Sequence, residues 1–299
     1  VLGRPGRPLA SLWVLLALVF ASTSGFVPGL GRAGGKPSAS LRRRVIADAV
    51  SSQSVVSAAQ MPSAASARAA AAGTAAARRE VRLQLLASAA ATCRGQCGSP
   101  LAREGALQLV KAMEALNPTA APASDTGLLE GDWRLIYASE DVTRSSPFFW
   151  GWRKMLKGIR DPTPVSLQLF GTEEISESIF AFTDGIPIRT VGEATQSIKD
   201  GRLISRVTIQ VFGFGQTVMT TSCRFMPANS EGSELAVTVE TTQAMGSTLP
   251  FADTTVFPSE ALLGESARII MHLTYLDDDL RIMRNDADGQ VFVYARTAE

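Results

Sequence analysis

The chain has 299 residues, 45% of them hydrophobic, with 29 Lys and Arg against 28 Asp and Glu. Ten of the basic residues and a single acid, Asp48, fall within residues 1–79, so residues 80–299 carry 19 (29 − 10) basic and 27 (28 − 1) acidic groups. The acidic body excludes a nucleic-acid-binding role, which needs a cationic footprint, and three cysteines exclude a disulfide scaffold.

The leader has two parts. Arg4 and Arg7 precede the apolar run Leu12–Phe20, and Ala21-Ser22-Thr23-Ser24-Gly25 follows. That is the order of a secretory signal, and the run is too short to span a bilayer. Residues 26–79 are rich in Ala, Ser and Arg and almost free of acids, as organelle transit peptides are. A signal over 1–25 followed by a disordered transit segment over 26–79, with Phe26 just past the cut, resembles the presequence of an algal plastid bounded by extra membranes. The alternative is an ordinary secreted protein with a disordered spacer. Val1 in place of methionine is what a fragment would show.

Order is expected from Arg79 or Glu80. Val81, Leu85 and Ala89 recur every four residues, and Gly95 and Gly98 end that helix. Ser99-Pro100 reads as an N-cap with proline at the first helical position. Ala102, Ala106, Leu109, Met113 and Leu116 then share one face, and Pro118 stops the run. Residues 80–128 are thus a helical hairpin with a linker. Its face can pack on the following domain or receive a protein partner.

From Gly131 the period changes to two. Trp133, Leu135 and Tyr137 alternate with Arg134, Ile136 and Ala138, which predicts a strand with the first set inward. Ser145-Ser146-Pro147 starts a short helix whose one side carries Phe148, Phe149, Trp152, Met155, Leu156 and Ile159, with Arg153, Lys154 and Lys157 opposite. Three roles fit that pattern: a membrane-interface anchor, a lid over an apolar cavity, or simple packing on the barrel. Strands are expected over 165–169 and 178–182, after Asp184-Gly185, and on both sides of Lys199-Asp200-Gly201. Others are expected at 216–225, 235–239, 269–275, 280–284 and 291–296, with a helical turn near 260–263. Nine or ten short strands without crossover helices predict an antiparallel up-and-down barrel over 129–299, wide enough for one slender apolar ligand.

Nothing in the sequence assembles a nucleophile, a base and an electrophile, and no G-x-S-x-G elbow exists. His272, the single histidine, reads as structural rather than catalytic or haem-ligating. Asp277-Asp278-Asp279 reads as a solvated turn paired with Arg281 and Arg284, not a metal site. Cys93 and Cys97 are read as unpaired thiols, with a regulatory disulfide as the alternative. A non-enzyme without metal or cofactor is expected.

Two stretches, Leu129–Tyr137 with Arg94-Gly95 and Leu116-Asn117-Pro118 before it, and Thr274–Arg284 ending in Val291-Phe292-Val293, resemble the plastid lipid-associated protein family, the fibrillins or plastoglobulins. The resemblance spans about residues 80–296 and implies a mainly β fold, a lipocalin-like barrel, on a chloroplast protein at thylakoid membranes or plastoglobules. Carotenoids, quinones and other prenyl lipids are the implied apolar partners. A module supporting a prenyl-lipid or quinone biosynthetic enzyme is the alternative. Gly131-x-Trp133 also resembles the lipocalin opening motif, where tryptophan floors the barrel beneath an arginine from the last strands. Arg281 or Arg284 would fill that place.

Overall fold

A computed structural model describes residues 64–158, 189–211, 215–246 and 256–297. The chain before Ala64, the expected strands at 165–169 and 178–182 and the Asp184-Gly185 hairpin lie outside the described residues.

Helix α1 (Ala64–Ala91) begins well before Glu80, because the alanine-rich segment carries the highest helix propensity of any residue. It ends at a corner where Cys93, Arg94 and Gly95 all take positive φ. Helix α2 (Pro100–Ala115) starts as expected, with Ser99 accepting from the Ala102 amide. Leu85 and Ala89 of α1 and Ala106, Val110 and Met113 of α2 form the buried stripe. A four-residue helix, α3 (Thr126–Leu129), leads into the first strand, and α4 (Pro147–Gly158) follows it after a 3-10 turn at Val142–Ser145.

The strands are β1 (Gly131–Ala138), β2 (Arg189–Lys199), β3 (Arg202–Val211), β4 (Gly215–Pro227), β5 (Glu234–Met245), β6 (Val256–Phe257), β7 (Arg268–Leu276), β8 (Leu280–Asn285) and β9 (Val291–Arg296). Helix α5 (Ser259–Leu263) lies between β6 and β7. All the pairings are antiparallel. β1 pairs with both β2 and β9, and β4 pairs with β5, so eight strands close on themselves while β6 adds a short flap to β5. The Asp200-Gly201 hairpin turns through two positive-φ residues, the two-residue geometry that matches strand twist.

Two apolar cores result. One fills the barrel, with Trp133, Leu135, Ile198, Met271 and Phe292 among its members. The other lies outside it, where α1 and α2 cover Tyr137, Tyr275, Leu280, Ile282, Val291 and Val293. Two strands contribute to both through bulges. The β1–β9 register shifts between Leu135 and Tyr137, and the β7–β8 register shifts between Leu273 and Tyr275. An extra residue reverses the side-chain alternation. Tyr137 therefore sits under the hairpin rather than facing inward with Trp133 and Leu135, and Tyr275 parts from Leu273 in the same way.

The residues between helix and barrel explain why the hairpin docks there. The Ala138 amide donates to the Arg94 carbonyl at 3.1 Å, and a Cβ on Gly95 would overlap the Ala138 carbonyl. Asn117 Oδ1 accepts from the Leu276 amide at 3.2 Å, and Thr119 Oγ1 donates to the Leu276 carbonyl at 2.6 Å. Glu114 takes Arg284 Nε at 2.7 Å and Arg284 Nη2 at 2.9 Å, and also accepts from Thr274. Arg82 bridges Asp277 and Asp279. The acidic turn is thus paired with α1, not with Arg281 and Arg284.

Candidate functional site

Trp133 is fully buried at the end of the barrel where β1 begins, and its indole donates to the Leu129 carbonyl at 2.9 Å. Two guanidinium groups lie over its ring, Arg296 at 4.3 Å and Arg281 at 4.8 Å from the centroid. Arg296 also donates to the carbonyls of Glu130, Leu128 and Asp278, which fastens α3 and the β7–β8 turn to the last strand. Gly131 sits at φ +126°, and a Cβ there would run into Arg296 Nη1. The glycine of the Gly-x-Trp motif is therefore needed for close approach as well as for its backbone angle. Of the two candidates for the arginine at this floor, Arg281 lies over the Trp133 ring. Arg284 is on the outer face with Glu114, and Arg296, two residues beyond the buried run of β9, takes its place. Strand alternation explains the difference: Arg281 and Arg284 are three apart, so they point to opposite faces.

Arg281 differs from Arg296 in its surroundings. It is entirely buried, it lies 4.6 Å from the centroid of Tyr294, and Nη2 donates to Gln196 Oε1 at 2.5 Å. Gln196 Nε2 in turn donates to the Tyr294 hydroxyl at 2.9 Å. Arg281 Nε and Nη1 are buried without a hydrogen-bond partner. Burial away from water, opposed in part by Tyr294 and reinforced by the nearby Arg296 charge, lowers the Arg281 pKa to about 10. The Tyr294 phenol is raised, chiefly by burial, and stays protonated.

These residues belong to a polar belt inside the wall. Cross-strand pairing takes Arg281 to Tyr294, and separately takes Gln196 to Ser205, Ser205 to Thr221 and Thr221 to Thr242. All six are buried. Thr221 Oγ1 lies 3.0 Å from Ser146 Oγ and 3.4 Å from Thr242 Oγ1, which is 3.0 Å from Ser259 Oγ. That these residues stand side by side depends on the register of four strand pairs, which no local pattern in the sequence reports.

The aromatic helix is at the wall formed by β4, β5 and β7. Phe148, Phe149 and Trp152 are buried in the barrel core, Met155 packs against it, and Phe148 meets Phe257 edge-on at 5.4 Å. Leu156 and Ile159 have side chains outside the described residues. The cationic side is engaged too: Arg153 pairs with Asp288 at 2.8 Å, and Lys154 donates to the Arg268 carbonyl at 2.6 Å. In this arrangement the aromatics face the barrel and not the solvent.

His272, 3.0 Å from Asp286 and 3.5 Å from Glu234, lies on the outer face. Cys93 and Cys97 are exposed free thiols whose hydrogen bond raises the Cys97 pKa, and Cys223 is buried. Among the described residues no group of three or more His, Cys, Asp or Glu is placed to hold a metal ion, and no helix is long and apolar enough to cross a membrane.

Residues 79–158 match the PAP_fibrillin family pattern. The chain is 28% identical over 233 residues to the light-induced chloroplastic protein of Solanum tuberosum, covering 71% of this chain and 66% of the relative. It is 28% identical over 225 residues to the chloroplastic plastid-lipid-associated protein of Citrus unshiu, covering 69% and 64%. Plastid lipid-associated protein 3 of Brassica campestris is 28% identical over 214 residues, covering 65% and 54%. The chain thus spans somewhat less than two thirds of the length of these relatives. No solved structure matches it.

Proposed function

From the match of residues 79–158 to the PAP_fibrillin family and the similarity to plastid-lipid-associated proteins, we propose that this chain is a non-catalytic chloroplast protein that binds or organises apolar lipid at thylakoid membranes or plastoglobules. The observation that carries this reading is the barrel itself. Eight strands enclose a core bounded at one end by Trp133 and Arg296 and lined on one wall by the aromatic face of α4. A barrel of this strand number is just wide enough to take one slender ligand among its side chains. Prenyl lipids such as carotenoids and quinones have the required length and slenderness. The chloroplastic names of the relatives support a plastid address, and the signal-plus-transit leader would deliver the chain there through the membranes of a complex algal plastid. A wall of hydroxyls and aromatics with a single, outward histidine favours carrying over catalysis.

The aromatic helix works in this scheme as a lid. Phe148, Phe149 and Trp152 would have to swing out before they could enter a bilayer, whereas as a lid they already face the interior. The hairpin stripe that could have received a protein partner is covered by the barrel's outer face.

The test is extraction of lipid from the full-length chain purified out of plastid-containing cells. One apolar lipid recovered per chain, at near-stoichiometric yield, is the expected result. A folded protein that yields none, and that takes up none when mixed with vesicles of plastid galactolipids containing quinone and carotenoid, would overturn the reading.

A further inference from the structure

The corner between α1 and α2 carries two thiols and a set of polar ties to the barrel within a few consecutive residues. Cys93 and Cys97 are exposed free thiols at its two ends, and they share a hydrogen bond, so the sulfurs already face each other. The backbone brings them there. The Cys97 amide donates to the Thr92 carbonyl at 2.9 Å and the Gln96 amide to the Cys93 carbonyl at 3.3 Å, which folds the chain back on itself through the positive-φ residues Cys93, Arg94 and Gly95. The residues between the thiols all grip the barrel. The Arg94 carbonyl accepts from the Ala138 amide at 3.1 Å, and Arg94 Nη1 donates to the Gly192 carbonyl at 2.7 Å. Gly95 packs so close to the Ala138 carbonyl that a Cβ would overlap it. Gln96 donates to the Glu140 carbonyl at 3.0 Å and accepts from the Val142 amide at 3.0 Å. Residues 138–142 link β1 to the 3-10 turn that precedes α4. None of these contacts uses a sulfur, so the cysteines add chemistry to a corner that folds without it. Cys223 is buried in the barrel core and does not compete for either thiol.

We propose that Cys93 and Cys97 form a reversible disulfide by exchange with a dithiol–disulfide oxidoreductase, and that this bond locks the grip of Arg94, Gly95 and Gln96 on the β1–α4 link. In the oxidising direction one thiolate attacks the partner's disulfide, forming a mixed disulfide and releasing one partner sulfur as thiolate. The second thiol loses its proton and displaces the remaining partner sulfur. The chain thereby gives up two protons and two electrons, and the partner leaves as a dithiol. Exposure of both thiols gives the partner access, and their facing sulfurs favour the intramolecular bond over two separate mixed disulfides. A covalent ring around Arg94, Gly95 and Gln96 restricts the open forms of the corner, in which their contacts are lost. The inference is independent of what the barrel carries. It joins redox state to the anchorage of α4, whose aromatics are part of the core.

Thiol alkylation with mass spectrometry, on the full-length chain equilibrated in glutathione buffers of increasing oxidised fraction, tests the bond. The expected product is a chain lighter by two hydrogens and crosslinked between Cys93 and Cys97, with Cys223 alkylated only after denaturation. Dithiothreitol should reverse it. Glutathione adducts on Cys93 and Cys97 without a crosslink would overturn the proposal. Hydrogen exchange tests the grip. The Ala138 and Val142 amides should exchange at least about threefold more slowly in the oxidised chain than in the reduced one. The same oxidant should leave those amides unchanged in Cys93→Ser and Cys97→Ser. A crosslink in the parent chain that leaves both amides as they were, or speeds them, would also overturn it.

Discussion

Trp133 is enclosed by two guanidinium groups and hydrogen-bonded to the Leu129 carbonyl, so its loss removes volume and contacts together. Trp133→Ala should lower stability by about 3–5 kcal/mol, the range for deleting a large buried aromatic. A urea titration would show it as a lower midpoint with little change of slope. A parent-like midpoint would remove Trp133 from its place at the floor. The neighbouring arginines illustrate how far residue type could be read in advance. The Gly-x-Trp motif implied an arginine over the ring, and Arg281 is there. The second arginine, Arg296, was hidden because it lies fifteen positions after Arg281, and only the return of β9 beside β1 brings it back to Gly131. The same is true of the donors on Arg281. That they lack partners is a property of what surrounds them, and no residue within several positions in the chain reports it.

Elements meet through a small set of polar ties laid over apolar faces. Glu114 is the clearest, holding Arg284 and Thr274 of the barrel from the last turn of α2. All three partners are at least partly shielded from water, so Glu114→Ala should cost about 1–2 kcal/mol, less than a fully buried charge pair because solvent still screens it. Hydrogen exchange should show the effect as faster opening of α1 and α2 with β3 and β4 unchanged, and uniform loss across the barrel would contradict a local tie. At this scale the helices were legible, since period, N-cap and stop signals are all local. Their partner was not. Leu85, Ala89, Ala106 and Met113 showed an apolar face, while the surface that fills it depends on bulges that turn Tyr137 and Tyr275 outward. A bulge adds one residue to one strand and leaves no mark in an alternating sequence. Strict alternation therefore placed Tyr137 inside.

For the molecule as a whole, all three tyrosines are buried, and each phenol is raised above its ordinary value with burial as the largest cause. A raised phenol binds its proton more tightly folded than unfolded. The resulting stability is fully present below pH 10 and is lost as pH climbs above it. Arg281, lowered by burial, acts in the opposite sense in the same region but is one group against three. Alkaline titration should therefore give phenolate absorbance that rises in one cooperative step together with the loss of tertiary circular dichroism. Three tyrosines ionising near pH 10 in a folded protein would contradict their burial.

What the chain determined by itself was the sequence of local states. The basic-then-acidic composition, the helical periods, the turn residues and the alternating strands each depend on neighbours within a few residues, and they were enough for an antiparallel barrel behind a helical hairpin. Tertiary structure alone decided which faces those elements share. The pairing of β9 with β1, the inward turn of the α4 aromatics and the contact of Gln196 with Arg281 join residues tens to more than a hundred positions apart, and the closure of β4 on β5 and the two bulges depend on register. Side-chain alternation says that a residue points to one side of a strand. It takes strand register, the sum of every pairing around the barrel, to say what it meets there.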